Sequence, residues 1–227
     1  MQFAFIQFAT CNSLLLARIL ITSGPTRQFL DPVRYLTNAS SGRMGRALAE
    51  AALSLGHEVI LVSGPVDVSY PAAALVVPVV STEEMLAAAL AEFDHCDGLI
   101  GAAAPCDYRP VRVKSHKIAK TGEPIDLHLV ETDDVVATLG AQKGQRWVVG
   151  FALETDDRRL RALAKLEQKC CDLMITNGPQ AISSPDNEVE VITPDGEVLA
   201  ALAGSKEKVA AGIMAIVQTR LVPSRRK

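Results

Sequence analysis

The sequence carries no excess of positive charge. Across 227 residues the formal net charge is −3, so nothing draws the chain electrostatically to nucleic acid or to an acidic membrane surface. Its five cysteines, Cys11, Cys96, Cys106, Cys170 and Cys171, are odd in number and lack paired metal-ligand spacing. That argues against a zinc site or a disulfide framework, and for packed thiols in a reducing, cytoplasmic setting. No apolar run reaches the ~20 residues of a membrane-spanning helix. The apolar opening MQFAFIQFATCNSLLLA has neither a basic n-region nor a cleavage pattern, so residues 1–17 read as an extension. No repeat, coiled coil or low-complexity linker is present. The histidines, His57, His95, His116 and His128, stand alone and form no catalytic triad.

What is present is an alternation of strand and helix signals from Arg18 onward. RILITS and EVILVS are short apolar runs, each stopped by Gly-Pro, as buried strands are. LVVPVV reads as an edge strand because Pro78 has no N–H to give. DGLIGAAA, IDLHLV, WVVGFALE and DLMIT complete the run of strands. Between them lie helices beginning after Ser41, at Thr82 as cap, in DDVVATLGAQ, and from about Asp156 to Cys171. NEVEVITPDGEVLAAL alternates around Asp195-Gly196 as a hairpin does, and a last helix runs from about Ser205 to Leu221. The pattern predicts an α/β, doubly wound, mostly parallel (Rossmann-like) sheet with an added antiparallel hairpin. One domain spans 18–221, and 222–227 form a frayed basic tail.

In such sheets ligands bind beyond the carboxyl ends of the strands. Those ends read SGPTR, AAAPCDYRP, FALET and NGPQ, mixtures of small residues, which admit a ligand near the backbone, with polar ones, which orient it. SSGRMG opens a helix whose first N–H groups have no internal partner, so it either holds an anion or is capped by its own serines. It is neither GxGxxG nor a Walker loop. The segment YRPVRVKSHKIAK is basic, with little apolar pattern, and suits a flap over a polyphosphate or a solvated loop. Asp107 at its root is either a carboxylate for Mg²⁺ or an ordinary loop residue.

The stretches ITSGPTRQFLDPVRYLTNASSGRMG, AAAPCDYRP and GFALET, in this order and spacing, resemble phosphopantothenoylcysteine synthetase of the bacterial type. That enzyme is usually fused behind a flavin-dependent decarboxylase. The resemblance runs from about Arg18 to Leu221 and suggests a stand-alone synthetase without flavin. It implies a ligase of coenzyme A biosynthesis: CTP activates the carboxylate of 4′-phosphopantothenate as an acyl-cytidylate with loss of pyrophosphate, and the amine of L-cysteine displaces CMP. It further implies Mg²⁺ with the nucleotide and a homodimer.

By the same resemblance Asn38 is catalytic, with Lys117 of the flap. Gly24, Ser40, Gly42, Gly45, Gly101, Ala102, Ala103, Asp107, Asp133, Asp134, Val135, Val136, Phe151, Lys165, Lys169 and Asn177 contact the nucleotide. Asp107 also faces the cation. Lys165 and Lys169 are four apart, hence on one helical face, able to address one ligand. Four motifs depart from the family: Lys117-Ile118-Ala119-Lys120 replaces Lys-x-Lys-Lys, ETDDVV replaces Asn-Pro-Asp-Ile, Pro105-Cys106 stands where small apolar residues are usual, and TNGPQ departs after its asparagine. A nucleotide-binding relative that does not ligate is the rival reading. A nicotinamide-dependent reductase would need GxGxxG after the first strand and an acid after the second, and neither is present.

Overall fold

RILITS forms β1 (Arg18–Ser23) at the centre of the sheet, with Ile19, Leu20 and Ile21 wholly buried. A strand apolar at consecutive positions must be covered on both faces, and it is. Ile19 and Ile21 point into one apolar cluster, with Leu48, Ala52, Ile213 and Met214. Leu20 points into the other, with Met85, Phe93, Leu139 and Leu166. The computed structural model describes residues 15–153, 158–177 and 186–222.

The remaining elements are β2 (Arg27–Phe29), β3 (Tyr35–Thr37), α1 (Arg43–Ser54), β4 (Glu58–Ser63), β5 (Leu75–Pro78), α2 (Thr82–Phe93), β6 (Gly98–Gly101), β7 (Tyr108–Pro110), β8 (Leu129–Glu131), α3 (Val135–Ala141), β9 (Trp147–Leu153), α4 (Arg158–Gln168), β10 (Leu173–Asn177), β11 (Asp186–Ile192), β12 (Val198–Ser205) and α5 (Lys206–Arg220). The main sheet runs β12-β11-β10-β9-β6-β1-β4-β5. All its pairs are parallel except β10 with β11 and β11 with β12, which are antiparallel. From β1 the chain winds outward through β4 and β5, then returns to β6 and winds the other way. The crevice between β1 and β6 is therefore the switch point of a doubly wound sheet. Register brings the strand ends level there: Thr22 lies opposite Gly101, and Gly101 opposite Gly150.

Several local expectations need correction. The cap of α2 is Ser81, in a reciprocal box with Glu84, while Thr82 is buried inside the first turn. IDLHLV is not a sheet strand: only Leu129–Glu131 is extended, pairing antiparallel with β7 to make the stem of a projecting arm. Its rim position follows from its composition, since Asp126 and His128 alternate with apolar residues that the core never reaches, and all of 121–131 is exposed. Cys171 is packed, but Cys170 is exposed at φ +52°, turning the chain out of α4. His128, in the segment 121–131, is exposed as well. Leu15 and Ala17, assigned to the extension, join the core, and the Ala17 N–H donates to His57 Nδ1 at 3.1 Å. Val222, assigned to the tail, is buried. Residues 1–14, 223–227 and the expected start of α4 at Asp156 lie outside the described residues. The Asp195-Gly196 turn forms as predicted, with Gly196 at φ +84°. Among the described residues no helix is long and apolar enough to cross a membrane.

Candidate functional site

The switch point carries two adjoining clefts, of about 500 and 340 Å³. They meet at Ala103, Pro105, Asp107 and Phe151, which border both.

The first cleft is built on the start of α1. Its cap is Gly42 at φ +72°, and no side chain accepts a hydrogen bond from the helix end. Serine capping, one of the two sequence readings, does not occur: SSG leaves the first N–H groups open. Gly42 must stay glycine, because its left-handed backbone disfavours a Cβ, which would also meet Val66 Cγ1 at 2.8 Å. Gly45 is required for another reason. A Cβ there would lie 2.1 Å from Ser23 Oγ, so α1 starts hard against the end of β1. Ser23 Oγ in turn accepts from the Tyr70 hydroxyl at 2.9 Å, and the same hydroxyl bonds Ser63 Oγ at 2.7 Å.

Thr26, of the GPTR motif, is the hub that joins the loops around the site. Its Oγ1 accepts from the Cys106 N–H at 2.7 Å and bonds Thr82 Oγ1 at 2.8 Å, and its carbonyl accepts from Thr37 Oγ1 at 2.8 Å. One buried threonine thus ties together the ends of β1, β3 and β6 and the start of α2. Across this frame Asn38 Nδ2 donates to the Pro105 carbonyl at 2.8 Å. An amide nitrogen has two hydrogens, so one fixes the side chain and the other remains to donate.

The second cleft lies against the start of α3. Asp134 caps that helix, accepting from the Ala137 N–H at 2.9 Å, and pairs with Lys169 Nζ at 2.9 Å. Burial raises the Asp134 pKa, but the Ala137 N–H and the Lys169 ammonium outweigh it and hold the carboxyl below its usual range.

Of the residues named from sequence, Asn38, Ser40, Gly42, Gly45, Ala102, Ala103, Asp107, Phe151, Lys165 and Asn177 line the first cleft. Gly101, Ala103, Asp107, Asp133, Asp134, Val135, Val136, Phe151 and Lys169 line the second. Lys165 and Lys169 share a helical face yet border different clefts, with Phe151 common to both. The N–H groups of Ala102 and Ala103 turn back to the Thr22 carbonyl and hydroxyl. Any contact from them to a ligand therefore comes from other atoms.

Two residues stand apart. Gly24 lies behind the cleft at φ +74°, its carbonyl accepting from the Ala104 N–H. Lys117 is exposed on the arm and borders neither cleft. The arm is tethered next to it: Ile118 N–H donates to Asp31 at 3.0 Å, and Arg34 Nη1 donates to the Ile118 carbonyl at 3.0 Å. Asp31 is wholly buried and also takes the N–H groups of Val33 and Arg34. The Ile118 N–H foremost, with these donors, draws its pKa down to about 2 against the cost of burial. Arg109, at the root of the arm, is paired with Glu83 at 3.1 Å.

Among the residues that escaped the sequence reading are three with large polar side chains in the first cleft, Arg43, Asn187 and Lys206. Arg43 follows SSG directly and was legible as part of that helix start. The other two come from β11 and α5, far along the chain.

Among the described residues no group of three or more His, Cys, Asp or Glu could hold a metal ion. Asp107, exposed and bordering both clefts, offers a single carboxylate. That suits a cation carried in by phosphate oxygens and waters rather than a resident ion.

Sheet order and switch-point clefts define a doubly wound α/β domain, whose uncapped helix end suits an anion. A family model, the DNA/pantothenate metabolism flavoprotein C-terminal domain, matches residues 14–221, and the chain belongs to that family. It is 42% identical over 203 residues to the coenzyme A biosynthesis bifunctional protein CoaBC of Vibrio parahaemolyticus, covering 86% of this chain and 51% of that one. The solved C-terminal domain of a CoaBC protein superimposes with TM-score 0.78 at 38% identity, covering 92% of this chain and 98% of that chain. The fold also matches a Cab2 mutant in complex with phosphopantothenate-cysteine, with TM-score 0.74 at 18% identity, covering 90% and 87%. The chain spans about half the length of the curated relatives it matches.

Proposed function

We propose that this domain is a phosphopantothenate–cysteine ligase of coenzyme A biosynthesis, using CTP with Mg²⁺ and acting through an acyl-cytidylate. The observation that carries the reading is Asn38, its amide held by the Pro105 carbonyl, beside the uncapped start of α1 in one cleft.

The chemistry follows from that arrangement. A carboxylate oxygen of 4′-phosphopantothenate attacks the α-phosphorus of CTP, and pyrophosphate leaves with the electron pair of the broken P–O bond. The open N–H groups of α1 favour the phosphate charge. The cysteine amine then attacks the acyl carbon. Negative charge gathers on the acyl oxygen, where the second amide hydrogen of Asn38 can donate. Collapse expels CMP, and the amine proton is released to solvent. Asp133 to Val136, Phe151 and Lys169 line the pocket for the base, Lys165 carries charge to the phosphates, Asp107 would hold the cation that accompanies them, and Asn177 borders the phosphate cleft. Lys117 acts when the arm swings over the cleft.

The working form is a homodimer in the cytoplasm. Exposed apolar residues gather on the arm and beside it, at Tyr35, Val111, Val113, Ile125, Leu127 and Leu129, a patch that association between copies would cover. Cys96, Cys106, Cys170 and Cys171 are free thiols, as in a reducing compartment.

The test is pyrophosphate release with each of the four nucleoside triphosphates, 4′-phosphopantothenate and Mg²⁺, followed by CMP release on adding cysteine. CTP should support both steps. Nucleotide binding without pyrophosphate release would make the chain a binder and overturn the proposal.

A further inference from the structure

We infer that Arg43, Asn187 and Lys206 form a polyphosphate subsite, which takes the outer two phosphates of the nucleotide and holds them until they leave as pyrophosphate. The assignment rests on the ligase reading and concerns residues that reading does not use.

Arg43 and Lys206 are the first residues of α1 and α5. The two helices pack together through Leu48, Ala49, Val209 and Ile213, and both first residues border the same cleft. A cation at a helix N-terminus opposes the dipole of that helix. Here two cations sit side by side at two such ends, and α1 has no acid in its first turn and no side-chain cap. Lys206 is 7% exposed, and burial followed by the charge of Arg43 lowers its pKa, against Glu207. Two cations at adjoining helix starts that border one cleft suit a polyanion.

Asn187 supplies an independent sign. It lies on β11, is 5% exposed and borders the cleft, and its Oδ1 has no hydrogen-bond partner among the described residues. Buried amide oxygens are rarely left unpaired, because doing so is costly. A side-chain amide serves in either sense. It gives NH₂ to a phosphate oxygen, or accepts from a water that a phosphate-bound cation carries.

Direction selects the outer phosphates. With the base in the second cleft, the nucleotide crosses the meeting point at Asp107 and Phe151. Its α-phosphorus then lies near Asn38, where the acid is activated. The chain beyond it extends into the first cleft, which Arg43, Asn187 and Lys206 border.

The experiment measures binding of CTP, CMP and inorganic pyrophosphate to the full chain by calorimetry, for wild type, Lys206→Met, Lys206→Arg and Asn187→Leu. Lys206→Met and Asn187→Leu should each weaken CTP and pyrophosphate about 10- to 100-fold while leaving CMP unchanged. Lys206→Arg should restore most of the loss. Arg43→Met, an exposed position, provides the same comparison should a buried substitution prevent folding. Equal weakening of CTP and CMP would reveal a merely structural role and overturn the assignment. So would unchanged pyrophosphate affinity, or a loss confined to the KM for 4′-phosphopantothenate. Should the wild type release no pyrophosphate from any nucleotide, the ligase reading fails by itself, because pyrophosphate binding is measured separately.

Discussion

Asn38 Nδ2 donates to the Pro105 carbonyl at 2.8 Å, across 67 residues of chain. The bond joins the segment before α1 to the loop after β6, the two walls of the switch-point crevice. It also fixes which end of the amide faces the ligand.

Asn38→Asp would set a carboxylate against the Pro105 carbonyl and remove the second donor. The acyl-nucleotide should still form, but aminolysis should slow about 10²- to 10³-fold, the usual effect of losing one oxyanion donor. Rapid quenching with labelled CTP measures the intermediate, and no accumulation relative to wild type contradicts the role.

Asp134 caps α3 and holds Lys169 at 2.9 Å, so one carboxylate both stabilises a helix and positions a cation. Asp134→Ala should cost about 1 kcal/mol for the lost cap and raise the KM for the nucleotide. Lys169→Met should raise that KM with little change in stability. Chemical denaturation paired with steady-state kinetics separates the two effects.

Asp31 anchors the arm through Ile118 N–H. Its folded pKa of about 2 lies below the usual 3.8, so its stabilisation is complete above pH 3.8 and is lost as pH falls through about 2. Hydrogen exchange at Ile118, taken relative to its intrinsic rate, should therefore rise as pH falls below about 4. In Asp31→Asn it should be about tenfold faster at neutral pH and lose that acid dependence. Unchanged exchange in the variant would mean that other bonds, such as Arg34 to the Ile118 carbonyl and Lys114 N–H to the Leu30 carbonyl, hold the arm.

Gly45→Ala would bring a methyl within 2.1 Å of Ser23 Oγ. The helix start must then move away from β1, at a cost of about 1–3 kcal/mol, and nucleotide affinity should fall with it. Ala47→Gly, deeper in the same helix, should lower stability but spare affinity, and thermal melts with and without CTP distinguish the two variants.

Local periodicity and turn chemistry determined much of this protein. Gly-Pro stops, the Asp195-Gly196 turn and Pro78 at an edge all act over a few residues, so strand, hairpin and sheet class were legible in the sequence. SSGRMG and the family motifs likewise marked nearly all the residues that border the clefts. Helical spacing put Lys165 and Lys169 on one face but did not say which of two clefts each one borders. Thr26 was illegible as a hub, since its partners Thr37, Thr82 and Cys106 come from three different elements. Arg43 and Lys206 meet only because crossover connections lay α5 against α1. Short-range forces write elements into the chain. Which cations, carboxylates and unpaired amides face one another is decided by packing between segments distant in sequence, where burial and charge act together.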